Sequence, residues 1–273
     1  PRSRCQLAST WSGVLKQVYD HDPERKYNLV RRKKYSVMFQ GHPAIEAIGH
    51  PPDDAEIIKT DYWSMEELGK GQQRAYQILA RAFGLKTPVK EELFFPDSAG
   101  SDQVLYDLIP WKDKNILIAP HSESPRKEMH PSIWHELVKL LLEHEIQVIQ
   151  TGKVNDIHIK NTYSLIGLTS PSQLIDLIKK LDFVITVDNF IMHIAHMVGV
   201  PAVVLWGPTE KDVYGYPEQI HIEASLDHCH LKEECLGPGL AHHYNTACPL
   251  GRDQCMNRLS PSEIYKKCLN LLN

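Results

Sequence analysis

A chain of 273 residues, 42% hydrophobic and 23% charged, has room for one large α/β domain or for two smaller ones with separate cores. No apolar run approaches the roughly 20 residues that span a bilayer, so a soluble protein is expected. A formal net charge of −4 leaves no global basic footprint for nucleic acid.

In chain order, the start is Pro1, with neither a Met nor a signal-peptide pattern, as expected of a trimmed or partial product. Tyr27–Val30 and Glu56–Ile58 read as strands and Gln72–Phe83 as a helix, which together make part of an α/β domain. Pro88–Ile109, polar and proline-containing, reads as a linker. From about residue 115 the rhythm becomes regular. Ile116–Ala119 is a strand, and Ser132–His144 a helix with apolar Ile133, Trp134, Leu137, Leu140 and Leu141. Gln147–Gln150 is the next strand, closed by Thr151-Gly152. Ser-Pro-Ser-Gln at 170–173 is a capping box with Pro at the first helical position, opening a helix through Leu181. Phe183–Val187 is a strand, Ile191–Val198 a short helix and Ala202–Trp206 a strand. A second box, Ser-Pro-Ser-Glu at 260–263, starts a final helix through Leu272.

Short β-branched strands alternating with amphipathic helices argue for a parallel sheet covered on both faces. Ligands in such sheets sit at the carboxyl ends of the strands, and the polar residues of this chain collect there. Asp188, after the Phe183 strand, can cap the short helix that follows or hydrogen-bond the hydroxyls of a polar ligand. His193, one turn on, is either a core histidine or part of a pocket. Gly207-Pro208-Thr209 is a plain turn or a phosphate contact, in which Gly admits a backbone N–H and Thr adds a donor. Ser122 and Lys127, on the loop after the first strand, suit a hydroxyl and a cation for a diphosphate, with a solvated surface charge as the bland alternative for Lys127. Four such signals at matching strand ends are worth more than any one of them.

These residues carry a family resemblance. APHSESPRKEMHP, VIQTG, SLIGLTSPSQLIDLIKKLDF and above all DNFIMHIAHMVGVPAVVLWGPT resemble the C-terminal domain of the ADP-heptose:lipopolysaccharide heptosyltransferases, glycosyltransferase family 9. YDHDPERKYNLV more faintly resembles the entry to their N-terminal domain. The resemblance implies a GT-B fold of two Rossmann-like parallel-sheet domains, the N-terminal one incomplete here. The expected domains are 1–109 on the acceptor side with its linker, 110–259 for the nucleotide sugar, and 260–273 as the C-terminal helix. It further implies transfer of a heptose-like sugar from an ADP-linked donor to a lipopolysaccharide or protein hydroxyl, without a metal in the transfer step. Carried over by position, Ser122 and Lys127 hold the diphosphate and Asp188 contacts the sugar. Asn189, His193, Gly207, Pro208 and Thr209 shape the pocket, and Asp156 is placed near the ribose. The chain departs from the pattern in three places. Phe190-Ile191 replaces Gly-Pro, His130 stands at a usual Trp, and no carboxylate precedes Asp20 where the family has its N-terminal Asp base. The catalytic residue is therefore unassigned, and a non-catalytic relative that binds a nucleotide sugar or a partner is the alternative.

Four of the six cysteines, Cys229, Cys235, Cys248 and Cys255, crowd between the last strand and the last helix. Four thiolates suit structural zinc or iron; two disulfides and free thiols are the alternatives, with His228, His230, His242 and His243 as further ligands. The related autotransporter heptosyltransferases carry a four-Cys iron-binding finger in this position, with different spacing. Arg25-Lys26 and Arg31–Lys34 are a solvated basic face or attract an anionic glycolipid acceptor. Location in the cytoplasm, with at most peripheral contact at the inner face of the membrane, is expected.

Overall fold

The computed structural model describes residues 14–25, 27–29, 42–48, 75–85, 106–232, 235 and 246–272. The chain divides into two compact units, one of Pro1–Ser3, Gly100–Lys211 and Gly215–Asn273, the other of Arg4–Ala99 with Asp212–Tyr214. Among the described residues no helix is long and apolar enough to cross a membrane.

In the smaller unit a helix, α1 (14–21), buries Val14, Leu15 and Val18 on one face, as the helical period requires. Strands β1 (Tyr27–Leu29) and β2 (Ile45–Ile48) run parallel, and helix α2 (Ala75–Ala82) lies within the span expected to be helical. Tyr27 meets Phe83 edge-on at 5.4 Å, and Arg25 lies over the Tyr27 ring at 5.5 Å, a cation–π contact. Strand β2 is too short and too interrupted by Glu46 to stand out in the sequence. The strand expected at Glu56–Ile58 and the basic run Arg31–Lys34 lie outside the described residues.

The larger unit is built on six parallel strands in the order β5-β4-β3-β6-β7-β8. They are β3 (Asn115–Ala119), β4 (Gln147–Gly152), β5 (Tyr163–Ile166), β6 (Phe183–Val187), β7 (Ala202–Trp206) and β8 (Ile220–Glu223). Every residue of β3, β6 and β7 is buried, so these strands are continuous apolar runs covered on both faces, as anticipated. Edge strands β5 and β8 are half-exposed. They mix polar and apolar residues over four positions, which hid them from a reading based on apolar runs.

Helices connect the strands. In α3 (Pro131–Leu142), Trp134, Leu137, Val138 and Leu141 form the buried stripe at the spacing of one helical face, and the helix packs on α6 (Pro261–Leu272). Helix α4 (Pro171–Ile178) starts with the expected capping box, the Ser170 hydroxyl accepting from Gln173 N–H and the Gln173 side chain from Ser170 N–H. It stops three residues short of Leu181, because the Lys180 and Leu181 N–H groups turn to the carbonyls of Leu177 and Ile178, three residues back. Helix α5 (Phe190–Val198) ends at Gly199 with φ 72°, the left-handed cap that glycine adopts without steric cost. The second expected box differs: the Ser260 hydroxyl meets that of Ser262 at 2.9 Å.

The chain runs outward through β3, β4 and β5, returns to place β6 beside β3, and continues through β7 to β8. Between β3 and β6 the strand order reverses. In an open α/β sheet the crevice outside the carboxyl ends of the strands at such a reversal is the standard ligand position.

Leu137→Ala removes a fully buried side chain from α3 and is expected to cost about 2–5 kcal/mol. Ser170→Ala removes only a cap and is expected to cost about 1 kcal/mol. Urea unfolding of both variants checks the ranking.

Candidate functional site

The loop after β3 runs from Pro120 into a single 3-10 turn, Pro125–Lys127, closed by Lys127 N–H donating to Ser124 C=O at 3.0 Å. A turn this tight sends consecutive side chains about 120° apart, so Arg126 and Lys127 leave in different directions, both buried. Lys127 reaches across the crevice to the residue that follows β6: its Nζ donates to Asp188 Oδ2 at 2.6 Å. Lys127 is 4% exposed and Asp188 1%. The solvated-lysine alternative is thereby excluded.

Asp188 is the centre of the group. Burial opposes its ionisation, but the Lys127 charge and hydrogen bond, the Thr209 hydroxyl and His193 together outweigh that and hold its pKa below the ordinary value of 3.8. The Thr209 hydroxyl faces the carboxylate only loosely, since it makes no well-aligned hydrogen bond among the described residues. His193, 3% exposed, is fixed by a 2.6 Å hydrogen bond between Nδ1 and the Tyr216 hydroxyl. Ser122 touches the group from the β3 side, its hydroxyl at 3.5 Å from Asp188 C=O. Ser122, Lys127, Asp188, His193 and Thr209 are therefore brought together.

Asn189 has a different position in the same place. Its Oδ1 accepts from Ile191 N–H at 2.8 Å and from the Thr186 hydroxyl at 2.8 Å, and its Nδ2 donates to Ala119 C=O and His121 C=O. It caps α5 and ties the ends of β3 and β6, with its amide fully engaged. Asp156 sits over Gly152 and accepts from Lys153 N–H at 2.6 Å. A Cβ at Gly207 would lie 2.4 Å from Met256 Sδ and 3.2 Å from Cys255 Sγ, so the absence of a side chain there lets the Gly207-Pro208-Thr209 turn settle on the cysteine-rich segment.

Three participants had no clear sequence signal. Glu128 Oε1 accepts from Ser122 N–H at 2.7 Å, closing the loop on itself, and Oε2 lies 3.5 Å from His121 Nδ1. Burial disfavours the charged form of His121, but Glu128 and the carbonyl of Ile157 more than offset it and raise its pKa. Tyr216 positions His193 and stacks on His196 at 3.7 Å. Arg126 was indistinguishable from any surface arginine, because its partners lie more than a hundred residues away in sequence.

Cys229, Cys235, Cys248 and Cys255 all carry free thiols. Burial raises the pKa of Cys235, and raises that of Cys255 to about 11 with a further push from the neighbouring thiols. The sulfurs feel one another's charge, yet among the described residues no three His, Cys, Asp or Glu side chains form a metal-holding group. The four cysteines are near enough for their charges to raise the pKa of Cys235 and Cys255, and no chemical step is derived through a metal.

Residues 71–236 match the family model of glycosyltransferase family 9 (heptosyltransferase). No curated protein is similar enough to count as a relative. Among solved structures, ADP-heptose LPS heptosyltransferase II of E. coli is similar with a TM-score of 0.68 at 14% identity, over 100% of this chain and 96% of that one. The family 9 glycosyl transferase from Veillonella parvula matches with a TM-score of 0.68 at 14% identity, over 98% and 94%. The iron-containing dodecameric glycosyltransferase TibC from enterotoxigenic E. coli matches with a TM-score of 0.71 at 14% identity, over 100% and 74%. At such identities the likeness establishes the fold, the GT-B arrangement of the heptosyltransferases.

The buried pair makes a pH prediction. Because the folded-state pKa of Asp188 lies below its unfolded value, the stabilisation is present above about pH 4 and is lost as pH falls through the folded value. Lys127→Met leaves the carboxylate buried without its cation and is expected to cost about 3–5 kcal/mol at neutral pH. With the cation gone, burial dominates and the pKa of Asp188 rises, so this variant should gain stability on acidification from about pH 7 to about pH 5. Urea unfolding of wild type and variant checks the contrast: the wild type should not change through Asp188 across that range and should lose the pair's contribution only below about pH 4.

Proposed function

The chain belongs to glycosyltransferase family 9, and on that premise we propose that it moves a heptose-like sugar from an ADP-linked donor to a hydroxyl of a lipopolysaccharide core or a protein. The observation that supports this most is the buried Lys127–Asp188 pair at the point where the strand order reverses, with Ser122, His193 and Thr209 around it. A diphosphate needs a cation and hydroxyl donors; a sugar needs a carboxylate that accepts from hydroxyls. Both sets stand within a few ångströms of each other here.

In this reading the donor diphosphate lies against Lys127 Nζ, the Ser122 hydroxyl and the turn at Gly207, Pro208 and Thr209. Lys127 has three N–H bonds and can keep Asp188 while donating to a phosphate oxygen. Asp188, held ionised, accepts from sugar hydroxyls. Asn189 and His193 keep the walls of the pocket in place, and Asp156 stands on the ribose side. As the bond at the anomeric carbon breaks, negative charge grows on the leaving diphosphate. A lysine already fixed in a buried site stabilises that charge without reorganising. Residues 1–109 are assigned to the acceptor side, 110–259 to the donor, and 260–273 to the C-terminal helix. The general base is left unassigned.

The thiol group of Cys229, Cys235, Cys248 and Cys255 is proposed as a structural site for iron or zinc, separate from transfer. Support comes from the soft sulfur donors and from the iron-containing TibC structure. Elemental analysis of protein purified without chelator is expected to find near-stoichiometric metal; four alkylatable thiols and no metal would remove this part.

Transfer is tested by incubating the protein with ADP-heptose, and with UDP-glucose as a control, in the presence of lipopolysaccharide core or protein acceptors. Release of ADP with sugar transfer is expected. Saturable donor binding with no turnover would instead make the chain a binding relative. Asp188→Ala is expected to reduce turnover at least about a hundredfold, the usual cost of a group that acts on the reacting centre. Unchanged turnover would take Asp188 out of the site.

A further inference from the structure

Arg126 is 7% exposed, and its guanidinium bonds Thr246 and Cys235 rather than Asp188. Nε donates to Thr246 C=O at 3.2 Å, Nη2 to Thr246 Oγ1 at 2.9 Å, and Nη1 to Cys235 Sγ at 3.4 Å. The next residue, Lys127, donates across the crevice to Asp188 at 2.6 Å. One 3-10 turn is thus held at two adjacent positions, by the cysteine-rich segment through Arg126 and by the β6 end through Lys127. Two further bonds run the same way, Gln254 Nε2 to Glu128 C=O at 2.7 Å and His130 N–H to Asn257 Oδ1 at 2.6 Å. The other donor loop rests on the same segment, since Gly207 sits directly against Met256 and Cys255.

A lysine side chain has four rotatable bonds and about 2 kcal/mol of rotamer entropy, and its useful position depends on where its Cα is fixed. The planar guanidinium fork supplies that fixing, because its donors must meet their acceptors in one orientation.

We propose that Arg126 is a positioning residue for diphosphate recognition: it locks the turn that bears Lys127 onto Cys235 and Thr246, so the cysteine-rich segment sets where the lysine amine stands. The lock itself is a property of the fold. Its effect on ligand binding rests on the reading that Lys127 meets a donor diphosphate. Arg126 touches neither sugar nor phosphate and acts through its neighbour.

The test has two arms. In the first, wild type, Arg126→Met and Thr246→Val are pulsed with acetic anhydride, and acylation of Lys127 is quantified by mass spectrometry against exposed lysines as internal standards. Wild-type Lys127, buried and paired, is expected to react slowly. Loss of a charge-assisted tie should accelerate its acylation about tenfold in R126M and about twofold in T246V. Unchanged protection of Lys127 in folded R126M overturns the proposal. Should R126M not fold, T246V decides alone, a rise supporting the lock and no rise overturning it. In the second arm, ADP, UDP and adenosine are titrated into each protein by calorimetry. Affinity for ADP is expected to fall about tenfold in R126M with adenosine affinity unchanged, and Arg126→Lys, which keeps the charge without the fork, should recover part of the loss. Equal losses for both ligands would mean general loosening and would overturn the positioning role. Wild type that binds neither ADP nor UDP would refute the diphosphate reading, and the acylation arm would still decide whether Arg126 locks Lys127.

Discussion

A lysine and a carboxylate, both withdrawn from water and 2.6 Å apart, impose the strongest single constraint on this domain. Desolvating two charges is expensive, and the attraction between them offsets the cost only when geometry and further hydrogen bonds are good. The pair therefore obliges its surroundings to be well built. The end of β3 and the end of β6 must lie at a fixed separation, and Asn189 supplies that by bonding Ala119 and His121 on one side while capping α5 on the other. The 3-10 turn must not drift, and the bonds to Thr246, Cys235, Gln254 and Asn257 hold it. A purely structural role would be filled as well by apolar residues of similar volume. In the proposed reading, the buried charge pair is chemistry kept ready for an ionic substrate.

The legible parts of this fold were those where one residue property repeats at a fixed interval. Strands β3, β6 and β7 are buried on both faces and are written as largely apolar runs; α3 and α4 carry a periodic stripe or an explicit cap. Strands β5 and β8 lie at the sheet edges, half in solvent, where neither alternation nor a continuous run is demanded. Their existence follows from backbone pairing with β4 and β7, which no short window of sequence contains. The same distinction applies to the site. Asp188, Lys127 and the Gly207 turn were singled out because they follow recognisable strands and resemble a family pattern. Arg126 and Glu128 were passed over because what makes them special is tertiary: burial in one case, and a bond back to Ser122 N–H in the other.

The cysteine-rich segment changes character once it is seen in place. As a sequence it invites a choice between metal, disulfide and free thiol. In the fold its position matters whatever the state of the sulfurs. Cys255 and Met256 lie under the turn after β7, and Cys235 receives the guanidinium that anchors the turn after β3. The segment is therefore the floor beneath both loops proposed to hold the donor. Substitutions there should be read first for their effect on the loops above.

The departure from the family pattern at Phe190-Ile191 can also be understood in these terms. A helix N-terminus attracts anions through unpaired N–H groups, and a Gly-Pro at this point would leave the backbone open to approach. Here Asn189 caps α5 and takes the Ile191 N–H for its own side chain, while Ile191 is buried. Less of the helix end is available to a phosphate, and the burden of charge recognition shifts to a side chain. In the proposed function Lys127, one of the few buried cations among the described residues, is the group that carries it, and on that reading its anchorage matters more here than it would beside an open helix end.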